Sequence, residues 1–477
     1  MYLTLFLHMY QPPTQTEAML EEVVNESYRK ILYGLKKYPQ GKITLNINAS
    51  LSELLVKHGY TDIIDDIKLL LKRGQIEITD SSAYHAFLPL LPETEIIRQI
   101  KLNHIINKKI FGNIYNPKGF FSPEMGISHT LLKIISDMGY EWTIVDELSF
   151  SPEKGNVLYD RLYKFDNTNL LVFFRNRDIS FKTLSAQLED GNIFIAEIKD
   201  KLDKKEYLPL AMDAETFGHH RVGLELLLYD ILKSSKFKNE TYGNLKKYFK
   251  LTDKSNCLPS TWALLPIEAM RNEPYERWYD RDNEVNKKQW ELTYFAIEMV
   301  NNSKYKILDP SIDGKAKKIT NNKEKQWLKS RYILDRALHS DQYWWASARP
   351  WWNINMIQKG ANELKDSILN MPSIDLKTKN KAENLYTDII LTAFKWQREG
   401  IVEDIIQNYD EEATEIIETK SLNVNPEEYE KVIAHLRKQM KDSAKALNFK
   451  RAIDFRERIK NLRMKQKNIT HFKGDII

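Results

Sequence analysis

Cysteine is almost missing from this chain: Cys257 is the single thiol in 477 residues. That excludes an intrachain disulfide framework and points to a reducing compartment. No apolar run approaches transmembrane length, and no basic stretch followed by a short apolar segment opens the chain. The expectation is a soluble, cytoplasmic protein with no membrane role. Histidines at metal-ligand spacing are also absent, since neither His-x-His nor His-x-x-x-His occurs. No metal or cofactor is expected.

The formal charge of +5 is unevenly spread. From Glu427 onward there are 14 Lys and Arg against 7 Asp and Glu, so the basic excess belongs to a terminal appendage. The preceding body is close to neutral, and nucleic acid is not expected as its partner. What the chain does have is length for two or three domains and an aromatic content of 11%, with 10 Trp and 24 Tyr. Such a content suits both a well-packed core and flat faces that stack on sugars.

Apolar runs at 1–7, 42–48, 75–79, 119–121, 142–145, 170–174 and 208–212 read as buried strands, most of them followed by helical periodicity. Nearly every run empties into a polar group. A parallel barrel of the TIM type, with function at the C-terminal ends of its strands, fits this repeat. An open doubly wound sheet is the alternative. A further run at 257–264 is expected to close or cap the barrel. Helical stretches at 284–301, 322–339, 353–369 and 376–398 predict a helical domain packed on the mouth. The expected boundaries are 1–265 for the barrel, 266–420 for the helical domain and 427–465 for a helical hairpin. The hairpin has an apolar seam of Ile433, Leu436, Met440, Leu447, Phe449, Ala452, Ile453, Ile459 and Leu462, suited to a partner protein or a second copy.

Two strand ends carry carboxylates in turn chemistry. Gly119-Phe-Phe-Ser-Pro-Glu124 runs an aromatic strand out to Glu124, where Pro123 fixes the backbone and Phe120 and Phe121 form an apolar wall. Leu210-Ala-Met-Asp-Ala-Glu-Thr-Phe-Gly-His-His220 does the same for Asp213 and Glu215. Two carboxylates from two strand ends are what glycosidic cleavage requires. Glu124 suits a nucleophile held ionised by nearby donors; otherwise it caps the next helix. Asp213 suits a general acid raised by a like charge, with Glu215 and Gly218 shaping the turn. His8, Gln11, His85, His219 and His220 follow strands at the same end and offer donors and acceptors for hydroxyls. A divalent-metal site built from Asp213 and these histidines is the competing reading. Arg175 is placed either to hold a catalytic carboxylate ionised or in an ordinary loop ion pair. Trp262, Trp278, Trp290, Trp344, Trp345, Trp351 and Trp352 cluster after the barrel and supply candidate stacking faces as well as packing.

These motifs resemble glycoside hydrolase family 57 over residues 1–365. His8-Met-Tyr-Gln-Pro12 is similar to the family's His-x-His-Gln-Pro signature, Phe121-Ser-Pro-Glu124 to its nucleophile motif, and Met212-Asp-Ala-Glu-Thr-Phe-Gly218 to its acid/base motif. The resemblance implies an incomplete (β/α)7 barrel with a helical domain, acting on α-glucans (starch, glycogen, maltooligosaccharides) with retention and without metal. It implies Glu124 as nucleophile, Asp213 as acid/base, and His8 and Gln11 at the cleaved subsite. Tyr10 replaces the motif's second histidine, and Phe121 stands where some members carry tryptophan. Residues 429–463 resemble the UVR motif, a hairpin for protein contacts. The expectation is an α-amylase or 4-α-glucanotransferase type of enzyme. The alternatives are a metal-dependent deacetylase or mannosidase-like enzyme and a non-catalytic glycan scaffold.

Overall fold

The computed structural model describes residues 1–153, 155–309, 312, 319–349, 351–414 and 426–445, with individual positions between 449 and 463. Ten strands form one sheet: β1 Tyr2–Met9, β2 Ile43–Ile47, β3 Ile76–Asp80, β4 Gly119–Phe120, β5 Trp142–Asp146, β6 Leu162–Phe165, β7 Leu171–Arg175, β8 Tyr207–Asp213, β9 Lys238–Asn239 and β10 Thr252–Ser255. The order is β10-β6-β7-β5-β4-β3-β2-β1-β8, with β9 on β1. From β8 to β7 all pairings are parallel. These seven strands are the seven expected from the apolar runs.

The sheet curls until β7 and β8 face each other without a full ladder. The Asn176 amide donates to the Pro209 carbonyl at 2.7 Å, and the Arg175 guanidinium reaches the Ala211 carbonyl at 3.5 Å. The result is an incomplete TIM-like barrel. The strands are buried on both sides, as continuous apolar runs demand. Three strands escaped the sequence reading. β6 pairs antiparallel to β7 and carries β10 at the outer edge. β9 is a two-residue addition to β1.

The run at 257–264 does not supply an eighth barrel strand. Cys257 has φ 50°, which breaks the extension, and Pro259 follows. The segment caps the mouth instead: Ser260 bridges to Ile127, and the Trp262 amide donates to the Glu124 carbonyl at 3.1 Å.

The helical region contains Glu284–Asn301, Asn322–Ala337, Ile354–Leu369 and Leu376–Arg398. Each starts at a side-chain cap, Asn283, Asn321, Asn353 and Asp375, whose oxygen accepts from a first-turn amide. Buried ion pairs seat this region on the barrel. Arg331 meets Glu95 at 2.7 Å, and Arg98 meets Asp335 at 2.6 Å and Asp309 at 2.7 Å. Because these charges are buried, breaking one partner away would cost several times more than an exposed pair would. The Ser340 amide then donates to the His85 carbonyl at 2.9 Å, which brings residues 339–341 to the mouth.

Helix Pro426–Lys445 is the first arm of the C-terminal hairpin. The described positions between 449 and 463 are helical as well. Ile433, Leu436, Phe455 and Ile459 are buried in the same apolar core as Val222, Leu224 and Phe237 of the barrel. A side chain at Gly223 would run into Leu436. Part of the expected seam is therefore spent on the barrel, whereas Phe449 and Ile453 stay 60% and 49% exposed. Leu447 and Leu462 lie outside the described residues. Among the described residues no helix is long and apolar enough to cross a membrane.

Candidate active site

β1 and β8 are adjacent, and their register sets His8 directly beside Asp213. On the other flank of β1, Asn46 of β2 is the register partner of His8 and holds its Nδ1 at 2.7 Å. The Nε2 of His8 lies 3.0 Å from Nε2 of His85, so one of these two nitrogens donates and the other accepts. Burial holds His8 well below the usual imidazole range and lowers His85 to about 4. Both are neutral at pH 7. Tyr10 stacks on His85 with ring centres 3.8 Å apart, and Phe121 packs against His8 at 4.9 Å. Of the expected apolar wall Phe121 is at the site, continued by Phe6 and Trp262 at 4.6 and 5.8 Å, whereas Phe120 packs on Tyr140 at 5.3 Å.

Glu124 follows the short strand β4 on a single tight turn. It has φ 59°, and Met125 after it has φ 51°, so two successive non-glycine residues are left-handed. Glu124 does not cap the following helix, His129–Asp137, because Ser128 does. Its Oε2 accepts from the Trp262 indole at 2.9 Å and its Oε1 from the Ser340 hydroxyl at 3.4 Å. Burial raises its pKa to about 8, reinforced by the charges of Asp213 and Asp341 and opposed by the Trp262 and Ser340 donors. The expectation that nearby donors keep Glu124 fully ionised is thus corrected. Two hydrogen bonds do not offset a desolvated carboxyl facing two others.

Asp213 is the last residue of β8. Burial raises it to about 7, and Arg175 works against that rise. Arg175 itself pairs with Asp146 at 3.0 Å and donates to the Trp262 carbonyl at 3.2 Å. It is a buried structural cation, felt by Asp213 and not bonded to Glu124. The charge of Asp213 adds to the raising of Glu124 and likewise of Glu215, so all three carboxyls share the mouth electrostatically.

Glu215 is buried close to Asp213, and burial together with the Asp213 charge raises it to about 8. Tyr28 and Gln11 donate to its Oε1, the latter at 3.3 Å, and its carbonyl accepts from the amides of His219 and His220. Gly218 has φ 110°, and a side chain there would strike the Glu26 carbonyl. These residues shape the turn. His219 is turned to Glu26, with Nδ1 2.6 Å from Oε2, which sets it apart from the His8–His85 pair.

The tryptophans divide. Trp278 is fully buried and stacked on Phe87 at 4.7 Å, with Trp344 at 5.2 Å, so its expected role as a sugar platform is corrected to core packing. Trp345 is half-buried and meets the 46% exposed Trp351 edge-on at 5.6 Å, four residues beyond Asp341. This pair keeps open aromatic surface.

The sequence reading missed Ser340, Asp341 and the direct bond from Trp262. Asp341 is part-buried, its Oδ2 accepts from the Tyr10 hydroxyl at 2.6 Å, and it lies 3.4 Å from Nδ1 of His339. Together His85, Glu124 and Asp341 bring three possible metal-ligand atoms within 4.8 Å of one another. Nothing in the local pattern around residue 341 announces a barrel-mouth carboxylate, since it starts the four-residue helix Asp341–Trp344 in the helical region.

Comparisons with known proteins agree with this architecture. The model of glycosyl hydrolase family 57 matches residues 2–233, and that of the UvrB/UvrC motif matches residues 430–464. The chain is 31% identical over 287 residues to an alpha-amylase of Pyrococcus abyssi, covering 55% of this chain and 43% of that protein. It is 28% identical over 144 residues to a 4-alpha-glucanotransferase of Thermococcus litoralis, covering 30% and 21%. The chain thus matches less than half the length of these curated relatives. A family 57 branching enzyme of Thermococcus kodakaraensis shares the fold with a TM-score of 0.61 at 16% identity, over 82% of this chain and 96% of that one. The strand ends that carry Glu124 and Asp213 both lie inside the segment, residues 2–233, that matches glycosyl hydrolase family 57, and residues 430–464 match the UvrB/UvrC motif.

Proposed function

We propose that the protein is a retaining glycoside hydrolase or transglycosylase acting on α-glucans in the cytoplasm, with Glu124 as nucleophile and Asp213 as general acid and base. The observation that carries this is that Glu124, on the turn after β4, and Asp213, at the end of β8, are two part-buried carboxyls at one mouth, near enough that the Asp213 charge adds to the raising of Glu124. Coupled carboxyls release their protons in separate steps. Between the steps the pair holds one proton and one charge, the state that retaining cleavage uses. Without substrate Glu124, raised to about 8, holds the proton more tightly than Asp213 at about 7; Trp262 and Ser340 donate to Glu124 and favour the anion it must become to attack.

Glu124 attacks the anomeric carbon while Asp213 gives its proton to the departing glycosidic oxygen, forming a glycosyl-enzyme ester. Asp213 then takes a proton from water or from an acceptor hydroxyl, and that oxygen displaces Glu124. His8 and His85, neutral and buried beside Asp213, offer hydrogen bonds to sugar hydroxyls, and Gln11 borders the same subsite through Glu215. The alpha-amylase and 4-alpha-glucanotransferase named among the relatives support α-glucan as the substrate class. The C-terminal hairpin is proposed to bind a protein partner or a second copy through its remaining exposed surface.

Product analysis on maltooligosaccharides tests this reading. Retention seen by proton NMR in the first turnovers, a covalent glycosyl adduct on Glu124 with a fluorinated glycosyl donor, and loss of turnover in Glu124→Gln are expected. Undiminished turnover in Glu124→Gln would sink it. A metal-dependent reading uses the grouping of His85, Glu124 and Asp341 and expects chelators to abolish activity. The retaining pair expects full activity in EDTA.

A further inference from the structure

The helix that follows β1 widens where it meets the end of β8. It is α-helical over Glu17–Val23 and Arg29–Lys37, and between them Val24–Tyr28 forms a π-helical turn in which the Arg29 amide donates to the Val24 carbonyl. No proline or glycine lies between Glu17 and Tyr28 to force the widening. Single π turns inside α-helices frequently mark functional sites.

This turn presents three consecutive polar side chains to one short segment. Glu26 Oε2 lies 2.6 Å from Nδ1 of His219, the Ser27 hydroxyl donates to the Ala214 carbonyl at 2.8 Å, and the Tyr28 hydroxyl donates to Glu215. In a regular α-helix successive residues point about 100° apart, so three in a row do not face one neighbour. The extra residue held in the π turn narrows that spread.

Ala214 directly follows Asp213. Its carbonyl also accepts from the Phe217 amide at 3.0 Å, the bond that closes the 3-10 turn Ala214–Thr216. Ser27 and Ala214 are both fully buried. On its other side Asp213 is fixed by β8, where it stands in register with His8. Among the described residues no hydrogen bond or ion pair holds the Asp213 carboxyl itself. The aim of that carboxyl is therefore set by the backbone on either side of it.

We propose that Ser27 is a positioning residue for the general acid and base: presented by the π turn, it pins the peptide after Asp213, with Tyr28 on Glu215 as a second hold, and so aims the Asp213 carboxyl at the glycosidic oxygen. This rests on the retaining reading above. Proton transfer needs the donor within hydrogen-bond reach of the departing oxygen. A misplacement of about 1 Å caused from outside the chemistry costs on the order of a hundredfold. The defect on losing Ser27 falls on proton transfer, and a substrate that needs no proton escapes it.

The test compares two substrates in the full chain: maltooligosaccharides, whose sugar leaving group must be protonated, and α-maltosyl fluoride, whose fluoride leaves without a proton. Ser27→Ala is expected to lower kcat/KM by about tenfold or more on the first and to stay within about threefold of the parent protein on the second. Azide attacks the glycosyl-enzyme without a base, so it should raise kcat of Ser27→Ala on the fluoride and leave the parent unchanged. Asp213→Asn is the control and should show the same split more strongly. Equal losses on both substrates in Ser27→Ala, or no loss on either, would overturn the proposal while Asp213→Asn keeps its split. Should Ser27→Ala fail to fold, Tyr28→Phe decides, since it keeps the ring and loses only the hydroxyl. A smaller loss with the same preference for the fluoride is expected there, and an equal or absent loss refutes the hold. An Asp213→Asn variant without the split would instead fault the assignment of Asp213 and the retaining reading with it.

Discussion

Trp262 holds Glu124 twice: its indole donates to Oε2 at 2.9 Å and its backbone amide to the Glu124 carbonyl at 3.1 Å. The side-chain bond steadies the carboxylate and the main-chain bond steadies the left-handed turn that carries it. Replacing Trp262 by Phe keeps the second bond and removes the first. A hydrogen bond to a charged group contributes about 1.5–3 kcal/mol. The expected result is a kcat/KM lower by roughly tenfold to a hundredfold, with the acidic limb of its pH profile moved upward because Glu124 loses a donor that favours its anion. Steady-state kinetics from pH 4.5 to 8.5 measure both.

Stability should fall as pH rises from about 6.5 to 8. Glu124 and Glu215 are raised to about 8 and Asp213 to about 7, so in that range the folded state binds protons that the unfolded chain has released. His339, raised to about 9, adds to the same decline, because its contribution is complete below the unfolded pKa and is lost on passing the folded one. His85, lowered to about 4, acts the other way and only below about 6.5, where the unfolded ring takes up a proton. Thermal melts at pH 6.5 and pH 8 give the comparison. Glu124→Gln should melt higher than the parent protein at pH 8 and show a shallower slope. An equal slope in both proteins would contradict the assignment of this decline to Glu124.

Tyr10→Phe isolates one contact in the mouth. The ring remains on His85 at 3.8 Å, and only the hydroxyl donated to Asp341 is lost. Turnover is expected to drop several-fold while the far-ultraviolet spectrum stays the same and the melting temperature changes by little. A large unfolding effect would show that the hydroxyl serves packing and not the carboxylate.

Leu436→Asp puts a charge into the apolar contact between the hairpin and the loop at Gly223. Burying an unpaired carboxylate costs several kcal/mol, more than a small hairpin contact returns. Limited proteolysis should then release a C-terminal fragment faster than in the parent protein, while the barrel melts as before. Equal cleavage rates would indicate that the contact does not hold the hairpin.

Much of the barrel was legible because parallel strands buried on both faces leave continuous apolar runs, and each run from 1–7 to 208–212 became a strand. The antiparallel β6 was not, since Leu162–Phe165 is short and mixed in polarity. Glu124 and Asp213 stood out because each ends an apolar run in turn chemistry. The partners of Glu124 did not, because Trp262 and Ser340 lie 138 and 216 residues away and meet it only through the tertiary fold. Trp278 misled for the complementary reason. A tryptophan in sequence carries no sign of which face will be covered, and here Phe87 and Trp344 cover it. Tyr10 registered as a departure from a histidine motif, whereas its hydroxyl and its ring have separate partners.

The left-handed backbone at Glu124 has a practical meaning for protein engineering. A residue with a β-carbon at φ 59° pays a conformational cost of roughly 1 kcal/mol or more, and glycine does not. Glu124→Gly therefore relaxes the turn and opens a carboxylate-sized space beside the Trp262 indole, whereas Glu124→Ala opens the space and keeps the strain. Under the proposed retaining chemistry, the glycine variant is the better scaffold for restoring turnover with formate or azide.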